Sequence, residues 1–185
     1  MSAMGMVVTA PMTFEEFEGL PDTPDHLELL EGELIQMPPA ELRHMETAER
    51  LFDLLRAALK QLRDAKAAVE LGKAHMEMGY LLTSAPRSWI QPDVSLTHPN
   101  QPHGKYYEGA PQLVLEIVSA EDRAVHLEKK VRLFLRHGAQ EVWLIYPETR
   151  HAYVYKPHVA AAVREDKYIH SDLLPTIDIP FDQFL

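Results

Sequence analysis

A chain of 185 residues, 46% hydrophobic and 25% charged, has the composition of a soluble globular domain and enough apolar material for a core without covalent staples. It contains no cysteine, which excludes disulfides and thiolate metal sites. A formal net charge of −10 speaks against broad electrostatic adhesion to DNA or anionic membranes, but not against a local basic patch or an acidic cleft that holds a divalent cation.

Residues 1–12 are expected to fray. Their sequence, MSAMGMVVTAPM, has no basic n-region, and its apolar run is too short for a signal peptide. No segment approaches the ~18 continuous apolar residues of a membrane span, so the expectation is a cytoplasmic protein. In TFEEFEG (13–19), Thr13 can cap a short helix, Glu16 holds the capping-box position and Gly19 ends it. PDTPD (21–25) reads as a turn. HLELLEGELIQM (26–37) reads as a hairpin of two short strands about Glu31-Gly32, closed by Pro38-Pro39.

From His44 to Arg63, the residues Leu51, Leu54, Leu55, Ala58, Leu59 and Leu62 recur at helical spacing and predict a helix packed by one face. Residues 68–82 and 88–97 read as strands joined by the Ser84–Arg87 turn, and 100–105 as a loop. Trp89 and Trp143 are expected in the core.

QLVLEIVSA (112–120) reads as a strand apolar on both faces, with Leu113, Leu115 and Ile117 on one side and Val114, Glu116 and Val118 on the other. Residues 121–137 form a second helix, stopped by Gly138. EVWLIYP (141–147) is another doubly apolar strand, and 151–156 pairs with it across the Pro147–Arg150 turn. The two buried strands flank a helix, a βαβ unit that makes them parallel neighbours. Residues 165–185 are expected as loops and a short terminal helix. With no repeat or linker, residues 1–185 read as one mixed α/β (α+β) domain, a central mixed sheet flanked by helices.

A lone carboxylate in a buried strand is costly unless compensated, so Glu116 calls for partners. Asp93 is one candidate. In WIQPDVSL (89–96), Ile90, Pro92, Val94 and Leu96 share a face and Asp93 points to the other. Two carboxylates converging from adjacent strands suit a hard cation such as Mg²⁺. Lys130 is the other candidate. At about 100° per residue it borders the buried stripe of Leu127, Val131, Phe134 and Leu135, so it can lean toward Glu116, whereas Lys129 faces away and should be solvated. A divalent metal with such carboxylates and a lysine is equipment for phosphodiester hydrolysis. The plainer readings are a metal-free buried Glu116–Lys130 pair, a strand-edge Asp93 and a His44 that only starts a helix. The scattered histidines suggest no zinc site.

Taken in order, Pro92-Asp93, LVLEIVS (113–119), Lys130, Phe134, Gly138-Ala139 and EVWLIYP (141–147) resemble the Uma-two family of endonucleases in the PD-(D/E)XK restriction-endonuclease-like superfamily. LELLEGEL (27–34) is similar to that family's opening hairpin, and His44 to its histidine before the first long helix. The resemblance implies a restriction-endonuclease-like core. It implies Asp93 and Glu116 as ligands of Mg²⁺ (or Mn²⁺), with the backbone carbonyl of Ile117 as a third. It implies a catalytic lysine taken from the following helix, Lys130, since Val118 stands where the superfamily usually has one. Glu28, Glu33 and His44 would sit near the site. His126 and Tyr146 depart from the family by standing where relatives often carry aspartates, which affects tuning and substrate preference.

The expected activity is a Mg²⁺-dependent DNA endonuclease, with phosphate contacts from Lys105, Arg123, Lys129, Arg132 and Arg136 if they gather on one face. A homodimer or higher homo-oligomer is expected, since two sites related by a two-fold cut both strands most simply. The alternative is the same fold with a degenerate site, acting as an oligomeric or nucleic-acid-associated binding module.

Overall fold

The structure is a computed structural model that describes residues 10–21, 26–37, 39, 41–83 and 85–185. The expectations for residues 1–9, for the turn over 22–25, and for Pro38 and Ser84 lie outside the described residues.

Helix α1 (Phe14–Glu18) has the capping box read from its sequence: Thr13 Oγ1 accepts from Glu16 N, and Glu16 Oε2 accepts from Thr13 N. The hairpin follows as β1 (His26–Leu30) and β2 (Glu33–Met37), with Leu30 opposite Glu33. Both turn residues have positive φ, 53° at Glu31 and 82° at Gly32. That is the twist a two-residue hairpin loop needs and glycine supplies without strain. Helix α2 (Leu42–Asp64) buries Leu51, Leu55, Ala58, Leu59 and Leu62 of the predicted stripe, leaves Leu54 partly buried and adds Ala48.

The two predicted strands 68–82 and 88–97 each divide. The first becomes β3 (Ala74–Met76) and β4 (Tyr80–Leu82), and the second β5 (Ser88–Ile90) and β6 (Val94–Leu96). The halves join different sheets. β3 and β6 pair in one, β4 and β5 in another. The physical reason lies at the breaks. Pro92 cannot donate to a ladder, and opposite its neighbour Asp93, Glu77 takes a left-handed φ of 46° while its N–H donates to Asp93 O at 3.1 Å. Ile90 therefore packs in a different cluster from Val94 and Leu96, correcting the single face expected for all three.

After β7 (Tyr107–Glu108) come β8 (Leu113–Ile117), α3 (Ala124–Arg136) and β9 (Glu141–Tyr146), the expected βαβ unit with β8 and β9 parallel neighbours. β10 (His151–Tyr155) returns antiparallel to β9, and β11 (Val163–Glu165) adds an edge. The tail contributes β12 (Tyr168–Ile169) and β13 (Ile179–Pro180), which replace part of the loops expected there, and one 3-10 turn at Phe181–Gln183 where a short terminal helix was expected.

The six-stranded sheet runs β11-β10-β9-β8-β6-β3, and the five-stranded sheet β2-β1-β5-β4-β7. One face of the larger sheet, with Leu113, Leu115, Ile117, Trp143 and Ile145, packs on α2 and the C-terminal residues Phe181 and Phe184. The other, with Val114, Val118, Val142 and Leu144, packs on α3 and the smaller sheet. Glu116 projects from this second face. Trp143 is core as expected. Trp89 is only half-buried, lying on Phe17 and Tyr106 where α1 crosses the smaller sheet.

Glu141 anchors the C-terminal segment. Its buried carboxylate accepts from Trp143 Nε1 (2.9 Å), Ser171 Oγ (2.8 Å) and Asp172 N (2.9 Å). Glu141→Ala strands these donors and should lower stability by about 1–3 kcal/mol in urea denaturation. A change under about 0.5 kcal/mol would show that the anchor is solvent-compensated.

Candidate active site

The strand division places the chemistry. Where β3–β4 and β5–β6 cross between sheets, Glu77, Gln91 and Asp93 are left in loops at the end of β8. They face a cavity of about 580 Å³ whose walls include β1, the start of α2, the β8–α3 connection and α3 itself. Asp93, Glu116, Ile117, Lys130, Glu28 and His44, all predicted near one site, line this single cavity.

Lys130 reaches Glu116 from the helix. Its Nζ lies 2.9 Å from Glu116 Oε1 and 3.0 Å from Oε2, and 3.1 Å from Glu28 Oε1. The Lys130 side chain is 4% exposed and that of Glu28 1%. Glu28 is held in turn by Gln91 N, which donates to its Oε1 at 2.9 Å. Asp93 is fixed by two donors: Ile117 N gives to Oδ2 at 2.6 Å, and His44 Nε2 lies 2.9 Å from Oδ1. A single carboxylate thus ties the strand crossing to β8 and to the start of α2.

Burial pushes the Glu116 carboxyl well above the usual carboxylate range, opposed by the Lys130 charge and reinforced by Asp93 and Glu28. Burial works against the Lys130 ammonium too, but the carboxylates of Glu116 and Glu28 outweigh it and hold its pKa above the ordinary lysine value. The raised pKa favours the charged form of Lys130. The Asp93 hydrogen bond, against burial, raises the His44 imidazole above its usual value. A raised histidine pKa contributes stability that is present below pH of about 6.5 and lost as pH rises through the folded value. Asp93→Asn should lower the His44 pKa in an NMR titration of its ring protons. An unmoved pKa would break the assigned pair.

Glu28, Asp93 and Glu116 outnumber Lys130 in this interior. Glu28 Oε2 is buried without a hydrogen-bond partner among the described residues, and Glu116 Oε1 faces only the Lys130 ammonium at 2.9 Å. Hard anionic oxygens in excess fit a divalent cation. No three His, Asp or Glu side chains among the described residues form a ready-made cage. Mg²⁺ does not require one, since it commonly takes one or two carboxylates and completes its shell with water and substrate phosphate.

Other expected residues fall elsewhere. Glu33 lies in an adjoining hollow of about 290 Å³, with Arg123 and His126. Lys129 is not solvated: it curls over α3 to Leu30 O (2.9 Å) and Glu33 Oε2 (3.0 Å), because the β1–β2 turn presents a carbonyl and carboxylates there. Arg132 and Arg136 pair with Glu31 of the same turn, and Lys105 pairs with Glu18 of α1. The five basic residues do not gather at the cavity. Its walls carry Glu28, Glu41, Glu77, Asp93, Glu116, Glu121, Asp122 and Glu148 against Lys130, Arg43, His26 and His44. Arg43, at the mouth, pairs with Glu148 at 2.8 Å.

Gln91, Glu77 and Asp122 were not read from the sequence. Only Asp122 left a local signal, three residues after Ser119, whose N–H and hydroxyl both donate to its Oδ2. Gln91 acts through its backbone, which sequence type does not encode.

Comparison with known proteins gives the same outline. A family profile described as "Uma2: Putative restriction endonuclease" matches residues 14–182. The crystal structure of "a putative nuclease belonging to DUF820 from Anabaena variabilis ATCC 29413" has a TM-score of 0.76 at 22% identity, over 94% of this chain and 97% of that one. This likeness establishes a shared fold. No curated protein matches the chain.

Proposed function

The chain belongs to the Uma2 family, and from that membership and the cavity's geometry we propose that it is a metal-dependent endonuclease that hydrolyses phosphodiester bonds in DNA. The observation that carries this reading is Lys130 reaching across from α3 to Glu116, beside Asp93, on residues spaced 14 positions apart along one βαβ unit. Asp93 and Glu116, with the Ile117 carbonyl, would hold Mg²⁺ (or Mn²⁺). When bound, the ion lowers the pKa of a water and offsets charge on the phosphate.

The chain's own groups do the rest. Lys130, charged and fixed between Glu28 and Glu116, would offset charge gained by a phosphate oxygen beside the ion. His44 and Ile117 N set the Asp93 carboxylate in one orientation. Gln91 N and Glu28 keep Lys130 from swinging out. Preset orientation of this kind is what makes such groups effective, because little reorganisation is left for the reaction step.

The acidic wall of the cavity favours a second reading, a non-cleaving module of the same fold, because bare carboxylates repel a polyanion. One experiment separates the two. Plasmid DNA is incubated with Mg²⁺ or Mn²⁺ and wild type or Glu116→Gln, and metal binding is followed by calorimetry. Metal-dependent nicking by wild type alone supports the nuclease. Identical behaviour of the two proteins in both assays rejects it. A two-fold assembly belongs to the same proposal, and sedimentation of wild type as a monomer would remove that part.

A further inference from the structure

β10 carries His151, Tyr153 and Tyr155 on one face, each partly buried. His151 stands directly opposite Tyr146 of β9, and Tyr153 opposite Leu144, which in turn neighbours Glu116 of β8. These rings therefore share the sheet face of Glu116. Helix α3 covers that face over β8 and β9 but leaves the rings of β10 half open. Tyr146 and His151 lie parallel, with centroids 4.8 Å apart and planes 8° apart. Tyr153 stands edge-on to both, at 5.9 and 5.2 Å.

The cluster lies next to the cavity rather than in its wall. Tyr146 is followed in the chain by Pro147 and Glu148, both lining the cavity. Burial first, then nearby phenols and the negative charge of Asp122, raise the Tyr146 hydroxyl pKa, and Asp122 lines the same cavity.

We propose that Tyr146, His151 and Tyr153 form a stacking platform for an unpaired nucleobase next to the phosphodiester held at Asp93, Glu116 and Lys130. The inference rests on the nuclease reading of that cavity and names its substrate: a single strand, or a strand locally opened. Charge decides between a base and a phosphate as the occupant. Four of the five basic residues that would hold a phosphate backbone, Lys105, Lys129, Arg132 and Arg136, are engaged by Glu18, Glu31 and Glu33, while Glu121, Asp122 and Glu148 make the rim acidic. The base itself is neutral and planar, so the rim carboxylates oppose only the phosphates on either side of it. Stacking on aromatic rings is the attraction such a surface offers, and it is tolerant of sequence. In a paired duplex the faces of the bases are already covered by their neighbours, so only an unpaired base can use it.

The test is fluorescence anisotropy with a labelled single-stranded DNA of about twenty nucleotides, the matching duplex, and the same strand with abasic sites. Wild type, Tyr153→Leu and Tyr153→Phe are compared in the full chain, with Glu116→Gln and wild type assayed for cutting of the same strand. The single strand should bind wild type at least about ten-fold tighter than the duplex. Tyr153→Leu and the abasic strand should each weaken binding by about five- to hundred-fold, and Tyr153→Phe should restore it. The abasic arm uses wild-type protein, so a misfolded variant cannot imitate the result. Equal binding of strand and duplex, an abasic strand that binds like the intact one, or no binding at all overturns the platform. Tight stacking-dependent binding with no cutting keeps the platform and rejects the nuclease; cutting that ignores Tyr153 and the abasic sites does the reverse.

Discussion

Lys130→Met is expected to lower the unfolding free energy by about 3–5 kcal/mol, because it leaves Glu28 and Glu116 buried without their shared cation. For a domain of this size that corresponds to a melting temperature lower by about 6–20 °C. The loss is large because neither carboxylate can turn to water. Glu28 is fully buried on β1 and Glu116 nearly so on β8. Protonation limits the damage: with the ammonium gone, the Glu116 carboxyl takes up a proton more readily, so the deficit should shrink as pH falls. Melting of wild type and variant across pH 5 to 8 measures this. The triple variant Glu28→Gln, Glu116→Gln, Lys130→Met removes all three charges and should recover most of the stability, since an ion cluster replaced as a whole is often neutral. If Lys130→Met melts like wild type, the cluster is open to solvent and the buried-pair account is wrong.

Glu116→Gln should have the opposite signature, with stability kept and function lost. The amide still accepts from Lys130, and Glu28 alone then balances one ammonium. Burial already pushes the Glu116 carboxyl toward its neutral form, so a neutral side chain fits the site. Stability should change by less than about 1 kcal/mol or rise slightly. Cleavage should fall to background, and calorimetric uptake of Mg²⁺ or Mn²⁺ should fall with it, because one of the two carboxylates proposed as ligands is gone. This pairing is diagnostic. A residue kept only for structure would lose stability on substitution and leave the metal response untouched.

The local elements were legible in the sequence. The Thr13 capping box, the Glu31-Gly32 hairpin, the α2 stripe and the β8-α3-β9 unit each follow from a short-range rule. The Lys130–Glu116 contact was legible for the same reason. Both residues sit on consecutive elements of one βαβ unit, so helical phase alone decides whether Lys130 or Lys129 turns inward. The fate of Lys129 was not legible, because its partners, Leu30 O and Glu33, come from a hairpin almost 100 residues earlier in the chain. The basic residues failed as a group for a related reason. Periodicity shows which way a side chain leaves its helix, not which carboxylate waits there.

The sequence by itself determined that Glu116 needed compensation, that Lys130 was placed to give it, and that Asp93 was a second carboxylate free of the core. The physical reason is that burial and phase are properties of single elements, written in the spacing of apolar residues. The tertiary structure alone decided that the strands around Asp93 cross between two sheets and leave it at the end of β8. It decided that Glu28, expected only near the site, is fully buried on β1 and shares the Lys130 ammonium with Glu116. It also decided that an aromatic strip on β10 extends the same face beyond the helix. These depend on which strand lies beside which, and pairing between distant segments is set by the collective packing of both sheets.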